Sequence, residues 1–219
     1  MNLRESVPEL RQRLRVQRSG LSTATRQQAA LAVAEVLRQW PAFGAAARIA
    51  AYWACGGELD PAPALAGVVA AGRAIYLPVL AADGSGALYF APYQAGMPLR
   101  RNRFGIPEPD VQPAALLAPA QLDLVLTPLL AFDRTGTRLG MGGGFYDRSF
   151  AFLRDPRYHG PRPCLLGVGY AFQQVENLVR QPWDVPLSAV VTEQGLTVFN
   201  TEDGVYDELL AAEIGTAQL

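Results

Sequence analysis

The chain has 219 residues, of which half are hydrophobic and 18% are charged, so it is neither disordered nor fibrous and is expected to form a single globular domain over residues 1–219. The 19 basic and 20 acidic residues give a net charge of −1. This balance argues against a dedicated nucleic-acid-binding protein, which would have a basic excess. All of the basic residues are arginine, which excludes lysine Schiff-base chemistry and a Walker A phosphate loop.

Two helices are predicted in the first part of the chain. Ser6-Val7-Pro8-Glu9 has the spacing of a capping box, and it predicts a basic helix over residues 6–20. A second helix is predicted from about Ser22 to Trp40, where Pro41 stops it. Both segments carry regularly spaced apolar residues, so each is expected to bury one face.

In the rest of the chain, apolar runs alternate with helix and turn signals. Buried strands are predicted at 47–53, 74–80, 122–128, 165–170 and 189–192. Helices are predicted near 61–72 and 145–153, and hairpin turns precede short strands at 88–90 and 195–199. This alternation predicts an α/β fold, a three-layer αβα sandwich with a mostly parallel sheet and a small antiparallel hairpin extension. The acidic tail after about residue 202 is predicted to be a frayed helix or disordered.

The cysteines and the single histidine do not form a metal or disulfide framework. Cys55 and Cys164 are far apart and lack a CxxC pattern, so both are interpreted as small core residues. His159 is predicted to lie at the surface, which leaves no zinc cluster and no Ser-His-Asp triad. Since the sequence has neither a long apolar run nor a signal-peptide pattern, we expect a cytoplasmic protein with no membrane partner.

The stretch from Gly136 to Arg148 has the composition of an anion-binding loop. Four glycines occupy the five positions 140–144, so the backbone can curl and point several N–H groups into one concavity. The helix predicted to follow adds its positive dipole end, and Arg138 and Arg148 add positive charge. At Gly143 we expect a positive φ that a β-branched residue would resist. The stretch therefore predicts a phosphate-binding loop, although its spacing does not fit a dinucleotide fingerprint.

Five short motifs together resemble the 5-formyltetrahydrofolate cyclo-ligase family, also called 5,10-methenyltetrahydrofolate synthetase. The longest of them is the run from Arg138 to Arg148. The others, in chain order, are Leu10-Arg11 with Leu21-Ser22, Gly57-Glu58-Leu59-Asp60, Phe104-Gly105-Ile106-Pro107-Glu108-Pro109, and Trp183-Asp184-Val185-Pro186-Leu187 with Val191-Thr192-Glu193. Each motif alone is weak, but together they extend in order from about residue 9 to about residue 199.

The resemblance implies an enzyme that uses ATP and Mg²⁺ to convert 5-formyltetrahydrofolate to 5,10-methenyltetrahydrofolate, with release of ADP and phosphate. The formyl oxygen is a poor leaving group, and its phosphorylation lets it leave as phosphate when the five-membered ring closes. Such a site must hold a triphosphate and Mg²⁺ and align the formyl group with the γ-phosphate. Folate and ATP are therefore the expected partners, and the protein is expected to be a monomer.

The same resemblance implies the role of each site residue. The ATP site is expected to contain Arg11, Arg138, Leu139, Gly140, Met141, Gly142, Gly143, Gly144, Phe145 and Tyr146. The folate site is expected to contain Trp53, Glu58, Met141, Gly142, Gly143, Gly144 and Phe145. Asp147 and Asp184 fall at the positions of magnesium-binding carboxylates, and the catalytic residues are expected to be Arg138 and Asp147. Glu58 can accept hydrogen bonds from pterin N–H groups, and Trp53 either stacks on the substrate or only packs.

Several arginines lie outside this pattern. The family usually has a lysine at the start of the N-terminal run, and Val7 occupies that position here, while Arg11 is retained. A solvated basic helix face is expected for Arg13, Arg15 and Arg18. The cluster Arg100, Arg101 and Arg103 is either solvated or meets the glutamate tail of folate or a nucleotide phosphate.

Two other functions are compatible with the motifs. One is the same phosphate chemistry on a different N-formyl compound, such as a formylated aminopyrimidine, and the neighbourhood of Glu58 and Trp53 would decide this. The other is a nucleotide-binding regulatory module without catalysis, against which the presence of Arg138, Asp147 and Asp184 argues.

Overall fold

The computed structural model describes residues 5–199, which form a seven-stranded sheet, two small sheets and five α-helices. The helices are α1 (Val7–Ser19), α2 (Thr23–Gln39), α3 (Pro41–Ala45), α4 (Ala62–Ala70) and α5 (Phe145–Ser149). The strands are β1 (Arg48–Ala50), β2 (Ala74–Leu80), β3 (Leu88–Tyr93), β4 (Leu99–Arg101), β5 (Pro107–Pro109), β6 (Leu124–Pro128), β7 (Ala131–Phe132), β8 (Arg138–Leu139), β9 (Cys164–Val168), β10 (Ala189–Thr192) and β11 (Gly195–Val198). Short 3₁₀ turns lie at 113–115, 119–121, 151–154 and 171–173.

The large sheet is parallel in the middle and antiparallel at both edges. Its strand order is β11-β10-β9-β6-β1-β2-β3, in which β3 and β11 pair antiparallel with their neighbours. The strands β4-β5 and β7-β8 form two small antiparallel sheets. The predicted α/β fold with a mostly parallel sheet and antiparallel extensions is confirmed. Since β1 lies between β2 and β6, the chain order reverses there, and open α/β sheets bind ligands at such a point.

One face of the sheet is covered by α2, α3 and α4. Helix α2 begins as predicted, with the Ser22 hydroxyl accepting the Thr25 N–H at 3.1 Å. Its buried residues include Val33 and Leu37, which pack in one core with Ile49 of β1. Burial of each such large apolar side chain stabilises the fold by about 1.5–3 kcal/mol.

The other face has a thinner cover, made of α5, short turns and loops. The predicted helix over 145–153 is wrong in length, because α5 ends at Ser149 and a 3₁₀ turn follows. The Ser149 hydroxyl donates to the Phe145 carbonyl at 2.7 Å and accepts the Leu88 N–H at 2.8 Å, which ties the helix end to β3. Phe150 then turns inward and is completely buried beside Phe90.

Helix α1 lies at the carboxyl ends of the parallel strands. Its predicted capping box is confirmed: Glu9 N–H donates to the Ser6 hydroxyl at 3.4 Å, and Ser6 N–H donates to the Glu9 carboxylate at 2.8 Å. Leu10 and Leu14 pack against Leu130, which follows β6. The helix is therefore held across the point where β1 and β6 end.

The predicted strand at 47–53 is shorter in the structure, where β1 ends at Ala50. Ala51 N–H still donates to β2, but the chain then leaves the sheet, and Tyr52 donates its hydroxyl to the Leu59 carbonyl at 2.5 Å. Residues 53–58 are thereby free to form a wall of the site. The predicted acidic tail lies outside the described residues.

Candidate active site

A cleft of about 1260 Å³ opens at the carboxyl ends of β1 and β6. Its walls come from the start of α1, the turn after β1, the β4–β5 hairpin, the segment 137–148 and the segment 178–184. Exposed apolar side chains in these walls are Val7, Trp53, Phe104, Met141, Val179 and Trp183. A concave surface with exposed rings and a few converging charges is typical of a site for a flat aromatic ligand.

The glycine loop at 140–144 needs its glycines for two different reasons. Gly142 and Gly144 have φ values of +98° and +63°, in the left-handed region that favours glycine. Gly143 is not in that region, so the positive φ expected there is wrong. A Cβ on Gly143 would instead lie 2.5 Å from the Phe145 ring. Close approach, not backbone conformation, therefore explains glycine at this position.

Helix α1 contacts this loop through Arg11. The Arg11 Nε donates to the Gly140 carbonyl at 3.2 Å, and its guanidinium would lie 3.8 Å from a Cβ on Gly142. Val7, one turn earlier, also lines the cleft and is 44% exposed. The first turns of α1 thus contribute one cation to the loop, and Val7 lines the same cleft.

Arg138 and Asp147 form an ion pair at the base of the loop. The Arg138 Nη2 donates to the Asp147 Oδ1 at 2.7 Å, and the side chains are 6% and 24% exposed. The Val185 N–H donates to the same Asp147 oxygen at 3.1 Å, and the Arg138 Nη1 donates to the Val185 carbonyl. The backbone of a single residue between β9 and β10, Val185, therefore binds both side chains, and the charge-assisted bonds hold the guanidinium in a single orientation.

Asp184 directly precedes Val185, whose N–H binds Asp147, so the structure brings the two predicted magnesium ligands to neighbouring walls of one cleft. The Asp184 Oδ2 accepts the Gln181 N–H at 2.8 Å, and the half-buried side chain faces the cleft. Within residues 5–199 no group of three or more His, Cys, Asp or Glu side chains can hold a metal. Two carboxylates fit Mg²⁺ that is held jointly with phosphate oxygens and water, and do not fit an all-protein cage.

Glu58 lies in the turn after β1 and is almost buried. Its carboxylate accepts the Cys55 N–H at 3.1 Å and lies 3.7 Å from the Arg18 guanidinium, and its side chain is 10% exposed. The turn is further fixed by Tyr170, whose hydroxyl donates to the Gly57 carbonyl at 3.2 Å. A carboxylate held this way is an acceptor for N–H groups of a ligand in the cleft.

Aromatic side chains line the cleft on the turn after β1 and on the β4–β5 hairpin. Trp53, which is 38% exposed, packs edge-on against Tyr93 with ring centroids 6.1 Å apart. Phe104, at the hairpin tip, packs edge-on against Phe145 at 5.6 Å. Both Trp53 and Phe104 keep an accessible surface toward the cleft, so either ring can contact an aromatic ligand.

Burial raises the pKa values of three groups around Glu58. Desolvation raises the pKa of the Tyr146 hydroxyl, and the Glu58 carboxylate adds to this rise while Arg138 opposes it. Desolvation and Glu58 also raise the pKa of the Tyr52 hydroxyl. The Cys55 thiol has a pKa raised to about 11 by burial and by Glu58. These groups are therefore protonated at neutral pH and add no negative charge beside Glu58.

Two expectations about other residues are wrong, and the rest agree with the structure. Arg18 is buried, with 2% exposure, so the solvated face predicted for it is wrong, whereas Arg13 and Arg15 are exposed as predicted. Cys55 is exposed at the cleft, so its interpretation as a core residue is wrong, while Cys164 is buried. The cluster Arg100, Arg101 and Arg103 is exposed, and His159 is at the surface as predicted.

A model of the 5-formyltetrahydrofolate cyclo-ligase family matches residues 4–193. The chain belongs to this family. A 5-formyltetrahydrofolate cyclo-ligase of Escherichia coli strain K12 is 38% identical over 181 residues, which covers 82% of this chain and 96% of the relative. Another, from Haemophilus influenzae, is 35% identical over 179 residues and covers 82% of this chain and 93% of the relative. The family identified from the five motifs is thereby confirmed.

Solved structures have the same fold as this cyclo-ligase family member. The NMR structure of Aquifex aeolicus 5,10-methenyltetrahydrofolate synthetase superposes with a TM-score of 0.73 at 28% identity, covering 92% of this chain and 96% of that one. A 5,10-methenyltetrahydrofolate synthetase from Mycoplasma pneumoniae has a TM-score of 0.63 at 21% identity over 84% of this chain and 96% of its own, and supports the fold alone.

One residue at the site of this cyclo-ligase family member is missed by the sequence motifs. Arg18 touches the Glu58 turn, yet it belongs to none of the five motifs. A signal for it exists in the helix periodicity, because Arg18 follows Leu10 and Leu14 at intervals of four residues on the buried face of α1.

No helix among residues 5–199 is long and apolar enough to span a bilayer.

Proposed function

We propose that this chain is a 5-formyltetrahydrofolate cyclo-ligase that couples ATP cleavage to ring closure and forms 5,10-methenyltetrahydrofolate. The observation that carries the proposal is a glycine loop flanked by the Arg138–Asp147 ion pair in the same cleft as the nearly buried Glu58. A loop of N–H groups with a fixed guanidinium suits phosphates, and a carboxylate beside exposed rings suits a pterin. The reaction needs both features in one cleft.

The geometry suits a phosphoryl transfer followed by cyclisation. The formyl oxygen attacks the γ-phosphorus and ADP leaves; N10 then attacks the activated formyl carbon, phosphate departs and N10 loses its proton. Arg138, held by Asp147 and by the Val185 carbonyl, is proposed to stabilise the negative charge that develops on the transferred phosphoryl group. Helix α1 contacts the glycine loop through Arg11 and the Glu58 turn through Arg18, seven residues or about 10 Å apart along the helix.

The residues proposed to bind ATP are Arg11, Arg138 and residues 139–146. Met141, Gly142, Gly143, Gly144 and Phe145 are proposed to contact the folate as well, because Phe145 lies between the loop and Phe104 of the hairpin. Glu58 is proposed to accept pterin N–H groups, and Trp53 to present its ring to the substrate. A nearly buried carboxylate such as that of Glu58 discriminates strongly against ligands that leave it unpaired.

Asp147 and Asp184 are proposed to hold Mg²⁺ together with the phosphates of ATP. When bound, the ion neutralises phosphate charge and orients the triphosphate. Asp147 also orients Arg138, so its carboxylate is proposed to serve both the ion and the guanidinium. One carboxylate oxygen of Asp184, Oδ2, accepts the Gln181 N–H, and Asp184 lines the same cleft as Asp147.

The decisive experiment follows methenyltetrahydrofolate formation from 5-formyltetrahydrofolate by absorbance, with and without ATP and magnesium. Turnover that requires both is expected. A matched reaction with a formylated aminopyrimidine separates the cyclo-ligase from a related enzyme of the same phosphate chemistry. Binding of ATP with no turnover of either compound would indicate the regulatory module and would contradict the proposal. The protein is also expected to be cytoplasmic and monomeric, which fractionation and sedimentation would test.

A further inference from the structure

Arg18 is a buried cation at the point where β1 and β6 end. Its Nε donates to the Gly56 carbonyl at 3.1 Å and its Nη1 donates to the Leu129 carbonyl at 3.5 Å. The same guanidinium lies 3.7 Å from the Glu58 carboxylate, with the two side chains 3% and 10% exposed. The guanidinium thus connects α1 to the segments that follow β1 and β6, the two strands between which the chain order reverses.

The contact between α1 and the Glu58 turn also involves the backbone. Gly57 has a φ of +79°, and a Cβ on it would lie 3.0 Å from the Arg18 carbonyl oxygen. The end of α1 and this turn are therefore packed without room for a side chain. The Arg18 carbonyl oxygen and the Arg18 guanidinium both contact the turn. A change in the side chain is therefore expected to move the Glu58 carboxylate.

We propose that Arg18 is a positioning residue of the folate site, which holds Glu58 and the 55–58 turn in the geometry that accepts the pterin. Arg18 does not itself line the cleft, so it acts through Glu58 and not on the substrate. This inference rests on the proposed function, since it assigns a support to the carboxylate proposed to bind folate. A buried carboxylate without its cation is strongly unfavourable, and the turn would rearrange to expose it.

The test measures 5-formyltetrahydrofolate binding without ATP, and ATP binding without folate, by calorimetry. Arg18→Met is expected to weaken folate binding about tenfold or more, the loss typical of one charge-assisted contact, and to change ATP affinity less than about twofold. Arg15→Met, which removes an exposed cation of the same helix, is expected to leave both affinities unchanged. If Arg18 had a purely structural role, the Arg18→Met variant would bind both folate and ATP more weakly. That result would overturn the inference.

A double-mutant cycle tests whether Arg18 acts through Glu58. Glu58→Gln is expected to weaken folate binding, and adding Arg18→Met to it should cost less than about twofold more, because the shared interaction is already lost. Losses that simply multiply would overturn the inference while leaving Glu58 in the folate site. A wild-type chain that binds no 5-formyltetrahydrofolate, or a Glu58→Gln variant as tight as wild type, would overturn the proposed role of Glu58 and the inference with it.

If Arg18→Met does not fold, Arg18→Lys provides the same test. Lysine keeps the charge, but a single ammonium group cannot reproduce the fork that reaches Gly56, Leu129 and Glu58 together. Folate affinity is then expected to fall about threefold or more, with ATP affinity unchanged. An unchanged folate affinity in this variant would overturn the inference.

Discussion

Substitution of Gly143 by alanine tests how the glycine loop is built. The added Cβ would lie 2.5 Å from Cε2 and 2.8 Å from Cδ2 of the Phe145 ring, whereas carbon atoms in contact are separated by about 3.5–4.0 Å. The ring must therefore move by about 1 Å or more. It is held by an edge-on contact with Phe104 and by the Arg148 guanidinium 5.3 Å from its centroid, so this movement disrupts both contacts.

The expected cost is that of overpacking a filled position, about 1–3 kcal/mol. For a chain of this size each kcal/mol lowers the melting temperature by about 2–4 °C, which gives an expected decrease of about 2–12 °C. The ATP affinity should fall as well, because displacement of Phe145 moves the N–H groups of the loop. Gly143→Val should be worse than Gly143→Ala, since valine brings two more carbons toward the same ring.

Gly140→Ala is the matched control within the same loop. Gly140 has no atom within 4 Å of its added Cβ and is not in the left-handed region, so alanine should fit without strain. Its melting temperature should stay close to that of the wild-type chain. Thermal unfolding of both variants tests this, and equal melting temperatures of Gly140→Ala and Gly143→Ala would refute the close-approach explanation.

Three further perturbations test the charges around the cleft. Asp147→Asn should keep the fold and remove most turnover, because it deletes the anion that Arg138 and Mg²⁺ share; undiminished kcat at low magnesium would contradict this. Arg11→Ala should raise the KM for ATP about ten- to a hundredfold and that for folate less, while Arg15→Ala should have a small effect on both in the same titrations. Since desolvation and the neighbouring Glu58 raise the pKa of the Cys55 thiol to about 11, its alkylation by iodoacetamide should be slow at pH 8 and accelerate toward pH 11, with Cys55→Ala as the control; a fast rate at pH 8 would refute the raised pKa.

Sequence signals that act over a few residues predicted the corresponding structure well. The capping box of α1 depends only on Ser6 and Glu9, three residues apart, and both of its hydrogen bonds form. The end of α2 before Pro41 was likewise predictable, because proline cannot continue a helix. The parallel sheet followed from the alternation of apolar strands with helices, which is also a local pattern.

Features that depend on distant contacts were not predictable from one sequence. Arg18 has hydrogen-bond partners 38 and 111 residues away, so its spacing from Leu10 and Leu14 can place it on the buried face of α1 but cannot identify those partners. The lack of a CxxC pattern favours a core position for Cys55, but β1 stops at Ala50 and leaves Cys55 at the cleft. At Gly143 the sequence indicates a loop that needs glycine, but it does not indicate why. The reason is the position of the Phe145 ring, which depends on packing against the hairpin.

Helix α1 contacts the parts of the cleft that are proposed to bind the two substrates. It contacts the glycine loop at Arg11 and the Glu58 turn at Arg18, and its buried Leu10 and Leu14 fix it to the segment after β6. Because one rigid helix carries both contacts, its two ends should be separable: loss of Arg11 acts on ATP and loss of Arg18 on folate. A shift of the whole helix, in contrast, would affect both ligands at once, since neither end can move along its axis without the other. The split between ATP and folate affinity therefore distinguishes a local loss at Arg11 or Arg18 from a displacement of the whole helix.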